Sequence, residues 1–424
     1  MKILKLWNYL KEWDNLIVLL ISLSMFALLP FIDVARGAMI ILFVFLLFGK
    51  DKKKTMQSYL SKPCYKLMFW SCLSLYFLYV IGMFYSPDKS SGISELGTYK
   101  ITILLIPIMF ILIPKRLFSE KYQKKYLFSY IVGCLLFLFW SLGQAFIRFF
   151  KNPEVSTNTF FKSELALHIH TTYAALFFVM GIVFCCYLLQ RIPLSKWQKY
   201  ALAVIIIFFL GYAILLSSRG GILALVIAIM FIIISFINSK KGIIYGTLSF
   251  VIFIAFLIFL GGKIHYLQHR IDSTINAIEN FQENSEQQDL RILLWKNTIP
   301  VVKERFWFGI GTGGKDIAMS TVRLDDYPEL NNPHNQYLQT AIEIGFVGTL
   351  SLFLIFTFGL FTGIQNKDYL LIILILIFTI NCFFESMLER VQGNTFFMFA
   401  LFLIMNMLYS KDETEANPSS LGDF

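Results

Sequence analysis

The sequence predicts an all-α polytopic membrane protein with about twelve transmembrane helices and one large, partly helical loop late in the chain. Of its 424 residues, 57% are hydrophobic and only 15% are charged. A soluble domain is nearer to about 45–50% apolar and about 25% charged. Most of the apolar residues fall into runs close to the length of about 20 residues that a spanning helix requires. These observations exclude a soluble globular enzyme.

Twelve apolar runs are candidates for spans. They are 15–33, 34–49, 67–85, 100–114, 126–149, 171–190, 200–217, 221–237, 243–260, 345–365, 369–384 and 394–409. The first run lacks a small-residue cleavage site, so we expect it to remain as a helix. The segment from Pro30 to Arg36 is also compatible with a re-entrant hairpin. The predicted organisation is helices one to nine in 1–260, the loop in 261–344, helices ten to twelve in 345–409 and a cytoplasmic tail in 410–424.

The charges of the connecting segments predict which side of the membrane each one faces. Segments 50–66, 115–125, 191–199 and 238–242 are rich in Lys and share the side of the basic N-terminus, which makes that side cytoplasmic. The net charge of +10 is explained in this way, and no nucleic-acid partner is expected. The remaining segments face outward, and these are 86–99, 150–170, 218–220, 261–344 and 385–393.

The outward segment 261–344 is far longer than an ordinary connection, and loops of this size are usually functional. Helices are expected around 271–281, from 289 to 302, and from Pro333 toward the tenth span. Between them, 309–316 nearly matches the phosphate-loop pattern. Its last position is Asp316, which has no hydroxyl group, and no strand-then-helix context surrounds it. We interpret this segment as a flexible turn.

Two arginines are placed where a charge needs an explanation. Arg219 lies in Ser217-Ser-Arg-Gly-Gly221, a tight outward turn between two apolar helices, and a charge at that depth is typically functional. Its alternative role is to reach the lipid headgroups. Arg291 is at the start of the second predicted loop helix, where pairing with Asp289 in solvent is the alternative to substrate binding.

Arg390 follows Glu385 and Glu389 at the outer end of the eleventh span. Both carboxylates are close enough in sequence to form an internal salt bridge with Arg390. Contact with an anionic substrate is the other interpretation, and the sequence alone leaves both open.

The histidines differ in context. His334 follows a proline that favours the first turn of a helix, and an imidazole at an aqueous boundary can accept a proton near neutral pH. His168 and His170 precede the sixth span without the cysteine partners of a zinc site. His265 and His269 have no evident third ligand and are expected to form an interfacial polar face.

The segment from Pro333 to Gly348 resembles the signature of the O-antigen ligase and O-antigen polymerase superfamily. That signature is His-Asn followed after nine residues by Gly-x-x-Gly, and it is met here by His334, Asn335, Gly345 and Gly348. The position of the motif, late in a chain of about twelve spans, is also similar to the family.

Further segments extend the resemblance. Arg291, Trp295 and the turn 308–311 are similar to another run of the same domain, and Arg219 matches the family's arginine between two helices. Residues 385–393 are similar to a stretch after the penultimate helix. Two departures are the absence of proline from Phe306-Trp-Phe and the loose match of 170–173, and both leave the subtype open.

The resemblance implies a GT-C-like architecture and a glycan donor on undecaprenyl diphosphate. It implies that His334 is catalytic and that Arg219 and Arg291 bind the diphosphate. Residues with a candidate supporting role are Asn335, Arg390, Glu385 and His170. No metal or other cofactor is expected, because arginines can neutralise the phosphates. The adjacent pair Asp325 and Asp326 would point apart on a regular element.

The resemblance also implies a place and a set of acceptors. The protein is expected in the bacterial inner membrane, with its site at the periplasmic face and membrane lipids around it. We favour a ligase that transfers the glycan to lipid A–core oligosaccharide. The alternatives are a polymerase acting on a lipid-linked repeat and a protein O-oligosaccharyltransferase. A lipid-linked glycan flippase is the non-enzyme alternative, but the sequence lacks the internal repeats typical of transporters.

Overall fold

The computed structural model describes residues 12–151, 157–216, 218–236, 290–322 and 332–416. The predicted ninth span, the helix around 271–281 and the pairs His265–His269 and Asp325–Asp326 lie outside these ranges. Within them the chain forms helices and short turns, and no strand. The all-α prediction is confirmed for the described residues.

The helices of the described part follow one another with short connections. In chain order they are α1 (Trp13–Ala27), α2 (Ile32–Leu47), α3 (Lys52–Leu60), α4 (Pro63–Phe84), α5 (Lys89–Glu95), α6 (Ile101–Ile111), α7 (Glu120–Lys151), α8 (Lys162–Ala166), α9 (Thr171–Arg191), α10 (Lys196–Leu215), α11 (Arg219–Phe236), α12 (Leu290–Glu304), α13 (Lys315–Val322), α14 (Gln336–Gln365), α15 (Tyr369–Phe384) and α16 (Val391–Ala416). A π-helical turn (Leu96–Lys100) joins α5 to α6, and a 3₁₀ turn (Met387–Glu389) precedes α16.

Seven helices of the described part are long and apolar enough to cross a membrane. They are Pro63–Phe84, Lys89–Ile111, Glu120–Lys151, Thr171–Arg191, Lys196–Leu215, Gln336–Gln365 and Val391–Ser410. The pair α2 and α3, bent by 109°, adds an eighth if it forms one broken span. Every predicted span except the ninth falls on a helix, while α1, α11 and α15 are shorter apolar helices. The count of about twelve spans therefore stays a prediction.

The helix α14 crosses a boundary that the sequence analysis placed between loop and span. It runs from Gln336 to Gln365 with a break at Ile344 and Gly345, where φ of the glycine is +66°. Its first part follows His334 directly, and its second part is the predicted tenth span. The expected third loop helix is thus the first part of a long broken helix.

The centre of the bundle is formed by α9 and by residues 391–410 of α16, whose side chains are mostly buried. Helices α7, α10, α11 and α15 pack around α9, and α6 packs against α16. Helix α14 packs against α4 and α15. The beginnings of α9, α11, α14 and α16 and the end of α15 meet at one end of this bundle, which is where the candidate site lies.

Candidate functional site at the outer ends of the helices

The centre of the site is a pair formed by His334 and Glu385. The imidazole Nδ1 of His334 lies 3.1 Å from each carboxylate oxygen of Glu385. The backbone of His334 is held in the left-handed region, with φ of +47°, and its N–H donates to the side chain of Asn332 at 2.8 Å. A left-handed conformation is uncommon for a residue other than glycine and concentrates at functional sites. It turns the chain between Pro333 and the start of α14.

Glu385 is a buried carboxylate that stays ionised. Its side chain is 2% exposed, and burial by itself would raise its pKa. The hydrogen bond from His334, the charges of His334 and His170 in their protonated forms, and the charge of Arg291 act in the opposite direction and lower the pKa of Glu385 to about 2. A carboxylate only accepts hydrogen bonds, so Nδ1 of His334 must carry the proton of this contact. In the neutral imidazole, Nε2 is then the free base.

A second histidine contacts the same carboxylate. His170 Nε2 lies 3.4 Å from an oxygen of Glu385, and burial lowers the pKa of His170 more than the charge of Glu385 raises it. The position of His170 is fixed because it lies at the start of the central helix α9. The hydroxyl of Tyr173, one turn further, donates to the backbone carbonyl of Ser386 at 3.0 Å.

Arg219 is the first residue of α11 and lies beside the end of α15. Its preceding residue, Ser218, shares a hydrogen bond of 3.0 Å with Thr172 at the start of α9. At the following residue, Gly220, an added Cβ would come within 2.7 Å of the side chain of Asn381 on α15. This close approach places the half-buried Arg219 at the junction of α9, α11 and α15.

Arg291 reaches the site from α12. Its charge is one of those that lower the pKa of Glu385. The same helix is anchored to the histidine segment, because the indole N–H of Trp295 donates to the carbonyl of Pro333 at 2.8 Å. Asp289, the predicted alternative partner of Arg291, lies outside the described residues.

Asn335 has a structural part in the site. Its side-chain oxygen accepts hydrogen bonds from the N–H groups of Tyr337 (3.0 Å) and Leu338 (3.1 Å), so it caps the N-terminus of α14. The next residue, Gln336, accepts a bond of 2.6 Å from the backbone N–H of Leu388. The sequence analysis did not single out Gln336, whose contact fixes the segment after α15 against α14.

Arg390 is exposed beside a polar cleft of about 450 Å³. The cleft is bounded by residues 385–392, by Asn332, by Lys315, by Glu95 and Tyr99 before α6, and by the first turn of α2. Of the two interpretations of Arg390, the internal salt bridge is not formed within the described residues. Glu385 pairs with the histidines, and Glu389 pairs with lysines.

A buried charge network that the sequence analysis missed lies next to the cleft. The ammonium group of Lys100, which is fully buried, pairs with Glu389 and lies 3.5 Å from Glu343. Lys315 lies 3.1 Å from Glu95 and 3.9 Å from Glu389. The signal in the sequence was the presence of Lys100 and Glu343 at the edges of apolar runs, where charged residues are rare.

The three carboxylates of this network have ligand oxygens within 4.8 Å of one another. Such a group resembles a metal site by composition, but the two lysine ammonium groups already lie against it. Lys100 and Lys315 thus provide the positive charge that a metal ion would otherwise bring to these carboxylates. The expectation that no metal takes part stays a prediction.

The glycine-rich turn 309–314 is not the flexible turn that we predicted. The N–H groups of Ile310 and Gly311 donate to the carbonyls of Ile342 (2.7 Å) and Glu343 (2.9 Å), which the break in α14 leaves without helical partners. An added Cβ on Gly345 would come within 2.4 Å of the backbone of Trp307. The prediction was wrong because these glycines serve close packing of two backbones rather than mobility.

The site residues predicted from the sequence therefore converge. His334 and His170 both contact Glu385, and the charge of Arg291 on α12 acts on the same carboxylate. Arg219 lies nearby, at the junction of α9, α11 and α15. Arg390 lines the adjoining cleft. All of these side chains lie in segments, or at helix ends, that the charge pattern predicts to face outward.

Comparison with known proteins supports the resemblance seen in the motif. Residues 201–353 match the family described as O-antigen ligase, a range that contains Arg219, Arg291, His334 and the glycine pair. An uncharacterized protein of Haemophilus influenzae is 24% identical over 370 residues, which cover 79% of this chain and 84% of that protein. The predicted family resemblance is confirmed, and it indicates glycan transfer of the ligase or polymerase type.

Proposed function

We propose that this chain, whose residues 201–353 match the family described as O-antigen ligase, is an O-antigen ligase. In this proposal it transfers a glycan from undecaprenyl diphosphate to a lipid A–core oligosaccharide at the periplasmic face of the inner membrane. The observation that carries the proposal is the contact between His334 Nδ1 and the buried, ionised Glu385. That contact leaves one imidazole nitrogen free to accept a proton.

The proton transfer follows from this arrangement. Nε2 of His334 removes the proton of the acceptor hydroxyl as its oxygen attacks the anomeric carbon of the donor. Glu385 orients the imidazole and stabilises the imidazolium that forms, as a carboxylate does for a histidine base in hydrolases. The new bond joins the acceptor oxygen to the anomeric carbon, and the bond from that carbon to the diphosphate oxygen breaks. A single displacement of this kind inverts the anomeric configuration.

The two arginines carry positive charge that matches the negative charge of the diphosphate leaving group. Arg219 and Arg291 approach the site from two helices and in this proposal bind the diphosphate oxygens through charge-assisted hydrogen bonds. Their positive charge stabilises the negative charge that builds up as the diphosphate leaves. The reaction then requires no metal ion, and the anionic Glu385 is shielded from the diphosphate by the imidazole and by these cations.

The test is transfer by purified variants supplied with a labelled undecaprenyl-diphosphate glycan and a lipid A–core acceptor. We expect His334→Ala and Glu385→Gln to reduce kcat by roughly 10²–10⁴-fold, because each removes part of the general base. Arg219→Ala is expected to lose about 10²–10³-fold. The matched control is His168→Gln, because His168 is an exposed histidine two residues before His170 that packs against the rings of Phe137 and Trp140. Normal transfer by His334→Ala would overturn the proposal.

The acceptor is decided by a second experiment. Deletion of the gene followed by lipopolysaccharide gels and analysis of polyprenyl-linked glycans is expected to give core without O-chains and an accumulation of long lipid-linked polymers. Core capped by a single repeat unit would instead identify a polymerase. The roles proposed for His334 and the two arginines would then apply to a lipid-linked acceptor.

A further inference from the structure

An apolar groove runs between α2 and α6, separate from the arginines of the proposed donor site. Its enclosed volume is about 120 Å³. The apolar side chains along it are Met39, Ile40, Phe43, Leu105, Ile106 and Met109. Arg36 and Thr102 lie at the end of the groove that is nearest the N-terminus of each helix. The groove therefore has one charged end and one apolar end.

The charged end of the groove adjoins the polar cleft. Asp33, in the wall of the cleft, is one helical turn before Arg36 on α2. Tyr99, on the other wall of the cleft, is two residues before Ile101 of the groove. From Arg36 to Phe43 a helix advances about 10 Å at its usual rise per residue. The cleft and the groove thus adjoin at the first turns of α2 and α6, and together they define a path that is polar beside Glu385 and apolar along the helices.

Arg36 is available for an anion at the boundary between these two parts. Its nearest carboxylate is Asp33 at 3.8 Å, and the side chain of Asp33 is 92% exposed. An ion pair of this length at the surface contributes little, so an anionic group can replace Asp33 as the partner of Arg36. A phosphate between a sugar and a lipid tail would be placed at this boundary.

We propose that this path binds the acceptor of the reaction, a phosphorylated glycolipid. Its tail occupies the groove between α2 and α6, a phosphate contacts Arg36, and its saccharide lies in the polar cleft beside Glu385. This inference rests on the proposed function, in which Arg219 and Arg291 hold the donor. Arg291 acts on Glu385 from α12, and Arg219 begins α11 beside the end of α15. Neither arginine is among the described residues that line the cleft or the groove, so a donor bound to them leaves the path along α2 and α6 open to the second substrate.

The first test fills the groove. Ile40 and Ile41 are neighbours on α2 with side chains that are each 58% exposed, but only Ile40 lines the groove. Ile40→Trp is expected to raise the KM for the glycolipid acceptor by about tenfold or more, since it displaces apolar contacts of the tail. The KM for the donor and the kcat at saturating acceptor are expected to stay at the values of the control, Ile41→Trp.

The second test removes the proposed phosphate contact. Arg36→Gln is expected to raise the KM for the phosphorylated acceptor by about tenfold, whereas Arg36→Lys retains part of the affinity. With an acceptor from which the phosphate has been removed, wild type and Arg36→Gln are expected to have equal KM values. If Arg36→Gln raised the KM equally for both acceptors, Arg36 would not contact the phosphate, and this part of the inference would be wrong.

The outcomes separate this inference from the proposed function. If the wild type transfers glycan and Ile40→Trp matches Ile41→Trp, the groove is covered by bulk membrane lipid and the inference is wrong. If Ile40→Trp raises the KM for the donor instead, the groove holds the donor tail, which also overturns it. If the wild type transfers nothing to any acceptor, the proposed function itself fails.

Discussion

At the scale of single residues, the site depends on a carboxylate that remains ionised although it is buried. Burial of Glu385 away from water favours its neutral form, but the hydrogen bond from His334 and the charges of its neighbours favour the ionised form more strongly. Both histidines contact this one carboxylate. His334 reaches it from the segment before α14, and His170 reaches it from the start of α9. Glu385 was only a supporting residue in the sequence analysis, and its geometry places it beside the proposed base.

The depressed pKa of Glu385 has a consequence for stability. The ordinary pKa is 4.5 and the folded pKa is about 2, so ionisation stabilises the fold above about pH 4.5 and the benefit is lost as the pH falls toward 2. The melting temperature of wild type should exceed that of Glu385→Gln most at neutral pH, and the difference should shrink below about pH 4.5. Thermal unfolding in detergent at several pH values measures this.

The exposed carboxylate Glu164 offers the control for this measurement, because its side chain is 61% exposed and its ion pair with Arg148 is 3.9 Å long. Glu164→Gln should match wild type at every pH. A difference between wild type and Glu385→Gln that stays constant from about pH 7 to about pH 3 would contradict the linkage.

At the scale of the elements, the break in α14 falls at Gly345, the first glycine of the family motif. Gly345 opens the helix, and the carbonyls that the break releases accept hydrogen bonds from the turn 309–314. The first part of α14 is thereby fixed relative to α12 and α13, with His334 at its start. Gly345 of the motif thus has a structural role, and the histidine that precedes it lies in the candidate site.

A single substitution tests this function of the break. In Gly345→Ala, an added Cβ would meet the backbone of Trp307 at 2.4 Å, and the backbone φ of +66° disfavours any residue other than glycine. We expect a loss of at least about 1–3 kcal/mol of stability, measured as a lower melting temperature. In the control, Gly211→Ala on α10, the Cβ meets nothing within 4 Å, and stability should be unchanged or slightly higher. Equal melting temperatures for the two variants would refute the structural role of Gly345.

At the scale of the whole molecule, the sequence predicted the elements better than the contacts between them. Apolar runs of spanning length identify helices directly, because the membrane interior demands internally satisfied backbones. The family resemblance singled out His334, Arg219 and Arg291, and their roles stay predictions. The pairing of His334 with Glu385 joins positions 51 residues apart in the chain, and no local pattern encodes such a contact.

The buried network around Lys100 was not predictable for the same reason. Its members come from α5, the π-helical turn, α13, α14 and the 3₁₀ turn before α16. Lys100 and Glu343 are charges at the edges of apolar runs, whereas Lys315 directly follows the glycine-rich turn 309–314. Only the packing of the helices brings the members of the network together. The network links the segment that carries Glu385 and Arg390 to the opposite wall of the cleft, so the position of that segment depends on distant parts of the chain.

Removal of one member of this network should therefore destabilise the whole bundle. In Lys100→Met, Glu343 and Glu389 lose their closest cation while they stay buried, and breaking a buried ion pair from one side costs about 3–5 kcal/mol. The double variant Lys100→Met with Glu343→Gln should recover part of this loss, because one buried carboxyl group without its cation is removed. Lys66→Met, at an exposed lysine of α4, should change stability by no more than about 0.5 kcal/mol. The measurement is the melting temperature of each variant in detergent. A Lys100→Met variant as stable as Lys66→Met would show that the network does not stabilise the bundle.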